Sequence, residues 1–128
     1  NALELPINSN EITMNGAEVL TFALSVVPNN VNLLLKKIKI KKDKIDKFIF
    51  HQASKYILDN INRILSIKKE KIFENYSRVG NTISASIPIA LKDANNKKKL
   101  KKNNLIILAG YGVGLSWGSA LIKWNKIL

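Results

Sequence analysis

Between Gly16 and about Lys37, apolar residues recur at spacings of three and four, at Val19, Phe22, Ala23, Val26, Leu33 and Leu34. This predicts an amphipathic helix, with a slip, bend or break near Pro28-Asn29-Asn30. Phe48-Ile49-Phe50 is a short unbroken apolar run after Asp46 and reads as a buried strand, with His51 at its C-terminal end. A second helix is expected from Ala53 to about Leu65. Ile57, Leu58, Ile61, Ile64 and Leu65 lie on one face of it, and Lys55, Asp59, Asn62 and Arg63 lie elsewhere. After a polar connection through Lys71, Ile72-Phe73 suggests a short strand.

Gly80-Asn81-Thr82 then opens a helix of a different kind. Ile83-Ser84-Ala85-Ser86-Ile87-Pro88-Ile89-Ala90-Leu91 is small and apolar nearly all round, which predicts burial on every side. Pro88 is tolerable there close to the first turn, where amides lack intrahelical partners. Lys92 through Asn104 is polar, lysine-dense and without apolar period, and reads as a surface loop. Leu105 to Ala109 is the best strand signal in the chain. Residues 110–114 form a glycine-rich turn, and Leu115 to Trp124 reads as a final strand paired back on it. The order describes one α/β domain, a mixed sheet covered by helices, without repeat or linker.

Composition narrows the classes. A chain of 128 residues can bury one continuous core without staples. It has no cysteine, which excludes disulfides and thiolate metal sites and permits a cytoplasmic location. Lysines and asparagines interrupt every apolar run, so no stretch is expected to cross a bilayer. The start, Asn1-Ala2-Leu3-Glu4-Leu5-Pro6, lacks both a methionine and the layout of a signal peptide, as a processed product or a cut segment would.

The formal charge of +12 suits an anionic partner and keeps a basic nucleic-acid-binding module open as a second reading. The excess is nearly all lysine. Arginine, suited to forked phosphate contacts, occurs only as Arg63 and Arg78, so a solvated surface is the simpler account.

The only histidine, His51, is followed directly by Gln52 and stands where open α/β sheets collect functional groups, at a strand end feeding a helix. Asn81, between Gly80 and Thr82, also suits an ordinary turn or N-cap. The glycines at 110, 112 and 114 lie between two strands and do not open a helix, so they are no phosphate loop; they let a backbone approach a ligand or present an amide to it. One histidine without cysteine argues against zinc, and no Gly-x-Ser-x-Gly elbow is present.

The conjunction is more specific than its parts. His51-Gln52-Ala53, Gly80-Asn81-Thr82 with the run to Leu91, and Gly112-Val113-Gly114-Leu115-Ser116-Trp117-Gly118 stand in the order and spacing of the type III ketoacyl-acyl-carrier-protein synthases. The chain resembles the C-terminal half of that thiolase-fold family, a likeness that extends upstream to Met14-Asn15-Gly16-Ala17-Glu18-Val19.

The resemblance implies that residues 1–128 are the C-terminal thiolase-like domain, with the N-terminal, cysteine-bearing half absent. In the family, acyl-coenzyme A acylates that cysteine, and a malonyl thioester on acyl carrier protein then loses carbon dioxide and attacks it. His51 and Asn81 match the two donors to the thioester oxygen, an oxyanion hole. The Val113 amide matches the backbone donor for the acyl-cysteine oxyanion, and Tyr111 the aromatic gate before it. Gln52 and Ser54 are supporting groups, and Arg63 matches a basic position that would contact the carrier's acidic surface. No cofactor is implied, and the parent is expected to be a homodimer away from membranes.

Two positions depart from the fatty-acid members. Ser54 stands where asparagine is common, and Tyr56 where arginine is common near the mouth. These departures leave room for a paralogue in polyketide, surface-sugar or other acyl chemistry, or for a scaffold that kept the fold and not the reaction. The isolated chain is expected to be inactive, and to expose apolar surface where the other half would pack.

Overall fold

The computed structural model describes residues 3–4, 13–112 and 115–125. A two-residue antiparallel pair, β1 (Leu3–Glu4) with β2 (Thr13–Met14), precedes the long helix α1 (Gly16–Ile38). Asn15 caps α1 by accepting the Glu18 amide at 3.3 Å, and Lys36 and Lys37 lie in its last turn, where cations complement the helix dipole. The helix runs unbroken through Pro28. The predicted break is absent because the proline side chain is itself buried in the core-facing stripe with Ala23, Val27, Val31 and Leu35. Leu33, expected on that stripe, is 64 % exposed.

β3 (Lys47–Phe50) and β4 (Leu105–Gly112) pair in parallel, and β5 (Ser116–Lys123) closes on β4 as an antiparallel hairpin, giving the expected mixed sheet. Ile72 adds only a single parallel bridge to Phe48, in place of a strand. Strand alternation sorts the core into two layers. Phe48, Phe50, Ile107 and Ala109 pack with α1 and with α2 (Lys55–Leu65). Ile49 and Ile106 pack on the other face with Ala90 and Ala94 of α4 (Ser86–Asn96). A one-turn helix, α3 (Tyr76–Val79), was not signalled by any apolar period.

Three expectations need correction. Lys92 to Asn96 continue α4 instead of forming a loop, since Ala90 and Ala94 extend a narrow buried stripe that the polar residues around them conceal. Gly110 to Gly112 belong to β4, paired with Gly118, Trp117 and Ser116 of β5, instead of forming a turn after it. And α4 is not buried all round: Ser86, Ala90 and Ala94 are covered, Ile87, Ile89 and Leu91 are half-buried, and Pro88 is exposed at its third position. The expectation about membranes also changes, because α1, at 23 residues, is long and apolar enough to span one by length and composition. Its buried stripe packs instead against β4, β5 and α2.

Candidate active site

β3 ends in the core, and His51 follows as the chain leaves the sheet. Its amide donates to Ala109 O at 2.9 Å, extending the ladder by one rung and fixing where the ring emerges. Nδ1 lies 2.6 Å from Ser86 Oγ at the start of α4, which leaves Nε2 as the outward nitrogen. The Tyr111 ring stands edge-on to the imidazole, with centroids 5.2 Å apart and planes at 89°. Burial lowers the pKa of His51, which favours the neutral ring.

Gln52 is 1 % exposed and spent at both ends: Nε2 donates to Phe50 O at 2.7 Å, and Oε1 accepts the Asn75 amide at 3.0 Å. It supports the site by tying the end of β3 to the segment that leads to Asn81. That segment is pinned again from α4. Asn75 Nδ2 donates to Asp93 Oδ2 at 2.7 Å, Arg78 pairs with the same oxygen, and the two bonds hold the Asp93 carboxyl below the usual range. Asn75, Ser86 and Asp93 form this support and carried no sequence signal, since a buried polar network has no period.

α3 ends at Gly80, whose φ of 74° and ψ of −165° suit glycine alone. The chain thus turns into Asn81, which is exposed, and whose Oδ1 accepts the Ile83 amide at 2.9 Å. This local turn fixes the amide's orientation and presents Nδ2 as the free donor. Ile83 adopts a φ of 51°, a left-handed conformation that costs a β-branched residue roughly 1–2 kcal/mol. His51 and Asn81 thus reach the start of α4 by separate routes, one through Ser86 and the other through Ile83, which leads directly into it.

The other expected residues fall variously. Tyr111 packs edge-on to Phe22 at 6.3 Å, and Phe22 to Trp117 at 5.5 Å, making an aromatic row from α1 to β5 beside His51. Ser54 is the N-cap of α2, accepting the Ile57 amide at 3.2 Å. Tyr56 is 63 % exposed. Arg63 is exposed in the last turn of α2, about 12 Å along the helix axis from Lys55 at 1.5 Å per residue, and donates to Asn60 Oδ1 at 2.7 Å. That puts it toward the opposite end of the domain from His51. Val113 lies outside the described residues.

A groove of about 550 Å³ runs along the first half of α1 beside Leu115, but neither His51 nor Asn81 lines it. Among the described residues no cluster of three His, Cys, Asp or Glu could hold a metal. The arrangement leaves His51 Nε2 and Asn81 Nδ2 without a partner among the described residues. It offers no thiol nucleophile.

Residues 35–124 match the family described as 3-oxoacyl-acyl-carrier-protein (ACP) synthase III C terminal. Similar proteins include the beta-ketoacyl-acyl-carrier-protein synthase III of Prochlorococcus marinus (strain MIT 9515), 46 % identical over 114 residues, covering 89 % of this chain and 34 % of that protein. The solved 3-oxoacyl-(acyl carrier protein) synthase III of Pseudomonas aeruginosa PAO1 superposes with a TM-score of 0.93 at 30 % identity, over 100 % of this chain and 41 % of that one. The enzyme of that name from Aquifex aeolicus VF5 gives 0.91 at 35 % identity, over 96 % and 40 %. The chain spans about a third of the length of the curated relatives it matches.

Proposed function

The chain belongs to the 3-oxoacyl-acyl-carrier-protein synthase III family, matching its C-terminal part, and from that premise we propose that it is the C-terminal, thiolase-like domain of a decarboxylating condensing enzyme. A cysteine-bearing half, in the same polypeptide or a separate one, completes the site. In this reading that cysteine is acylated from acyl-coenzyme A, and the malonyl thioester of acyl carrier protein lies against His51 and Asn81. The bond between the malonyl carboxylate and the methylene carbon breaks. Carbon dioxide leaves, and the electron pair passes into an enolate whose oxygen accepts from both residues. The carbanion attacks the acyl-cysteine carbonyl, whose oxyanion takes the Val113 amide. Collapse of that intermediate breaks the carbon–sulfur bond and returns the thiolate. Tyr111 flanks the entrance, and the parent is a homodimer in fatty-acid or related acyl synthesis.

What supports this reading is that one hydrogen bond fixes each of the two side chains and leaves one nitrogen of each without a partner among the described residues. His51, whose neutral form burial favours, is held through Nδ1, and Asn81 is held through Oδ1, so Nε2 and Nδ2 are the atoms left to meet charge that appears only during reaction. In the assembled enzyme, His51→Ala or Asn81→Ala should each slow malonyl decarboxylation by 10²–10³-fold, about 3 kcal/mol, while the cysteine is still acylated. Equal loss of both half-reactions would refute the assignment. So would ketoacyl product from the 128-residue chain alone.

A further inference from the structure

Ser86 is the first residue of α4 and only 2 % exposed. A serine one position earlier, at the cap itself, would turn its hydroxyl onto the first amides. Here Ala85 holds the cap position and no side chain caps the helix. The Ser86 hydroxyl reaches instead toward the end of β3, 2.6 Å from His51 Nδ1, and accepts the Gln52 amide at 3.3 Å. A buried hydroxyl must place its own proton. The Gln52 amide is a donor and cannot take it, so Nδ1 is the acceptor in reach among the described residues. A neutral imidazole whose Nδ1 accepts carries its proton on Nε2.

From this geometry we propose that Ser86 is a positioning residue that selects the Nε2–H tautomer of His51, making the imidazole a donor toward substrate. Its functional consequence rests on reading His51 as an oxyanion donor. The selector is itself rigid. The Gln52 peptide that orients the hydroxyl is locked by side-chain bonds to Phe50 O and the Asn75 amide, and Tyr111 limits the space into which the ring turns. Removing the hydroxyl opens the Nδ1–H tautomer, in which Nε2 is an acceptor and repels an enolate oxygen.

Because the 128-residue chain has one histidine, nitrogen-labelled protein gives a single pair of imidazole signals that report the tautomer directly. The native chain should show Nε2 protonated and Nδ1 bare in the neutral form. Ser86→Ala should shift the signals toward a mixture of tautomers, and Ser86→Thr, which keeps the hydroxyl, should restore them. A protonated Nδ1 in the native chain, a measurement that needs no variant to fold, overturns the proposal. So does a Ser86→Ala chain that keeps the pure Nε2–H form. In the assembled enzyme, Ser86→Ala should slow decarboxylation roughly 10- to 100-fold, by analogy with the loss of groups that orient metal-bound histidines. A shifted tautomer with undiminished decarboxylation would uphold Ser86 as the selector and sink the catalytic reading of His51.

Discussion

The Tyr111 hydroxyl is buried without a hydrogen-bond partner among the described residues, and burial pushes its pKa up to about 12. A desolvated, unpaired hydroxyl is a cost that phenylalanine does not carry. Tyr111→Phe keeps the edge-on contacts to His51 and Phe22, and should raise stability by about 1 kcal/mol in denaturant melts. A loss of stability would mean that the hydroxyl has a partner after all. His51 gives a prediction with the opposite sense. Burial holds its pKa below the ordinary 6.5, so the unfolded chain takes up that proton first as pH falls. Its contribution is complete above pH 6.5 and is lost as pH falls through the lower, folded-state value, with a slope of at most about 1.4 kcal/mol per pH unit. His51→Phe should flatten the stability profile between pH 7 and pH 5.5. An unchanged slope would assign the acid sensitivity elsewhere.

The segment from α3 to α4 depends on backbone conformations more than on contacts. A Cβ built on Gly80 meets nothing within 4 Å, yet its φ is 74°. Gly80→Ala should therefore cost about 1–3 kcal/mol through strain alone. It should also slow decarboxylation by displacing Asn81 while leaving the sheet intact by circular dichroism; native stability would show that the loop relaxes freely. Elements with a strong apolar signal were legible in the sequence. β3 leading into His51 follows from short-range apolar pattern, whereas the helix expected to open at Gly80-Asn81-Thr82 begins only at Ser86, which is what puts Pro88 in its first turn. What was not legible is set by tertiary contact. The C-terminal half of α4 hides behind Lys92, Asp93, Asn95 and Asn96 because only Ala90 and Ala94 face inward. Ser86 and Asn75 act through single hydrogen bonds to residues distant in sequence. Ser54 and Gln52 could be named as supporting groups, but their partners, a helix amide and two backbone groups, came only with the fold.

Topology sorts the surface into two unlike ends. β3 and β4 are parallel, so the connections entering them gather at one pole, and Lys123 joins them opposite Leu105. Most of the chain's lysines lie there, in residues 39–47, 68–71 and 97–102, offset only by Asp43, Asp46 and Glu70. Their crowding is felt: burial lowers the Lys47 pKa first, and the nearby Lys99 and Lys71 charges lower it further. Several of these lysines staple the turns, Lys71 donating to Asp43 O at 2.6 Å and Ile45 O at 2.7 Å, Lys42 to Leu65 O and Lys47 to Glu70 O. The opposite end holds His51 and the exposed apolar residues Met14, Tyr56, Ile83, Leu115 and Trp117, with Ile83 75 % exposed. Apolar surface on this scale favours association, whereas a formal charge of +12 opposes it through repulsion. Salt screens the repulsion, with a Debye length of about 10 Å at 0.1 M against about 30 Å at 0.01 M, and leaves the apolar attraction in place. The 128-residue chain should therefore be mostly monomeric in light scattering at low ionic strength and associate increasingly as sodium chloride rises. Ile83→Asn with Trp117→Ser should suppress that association by removing apolar area from the His51 end. A chain that stays monomeric at every salt concentration would show that this end does not seek a covering surface, and would count against a second half packing over it.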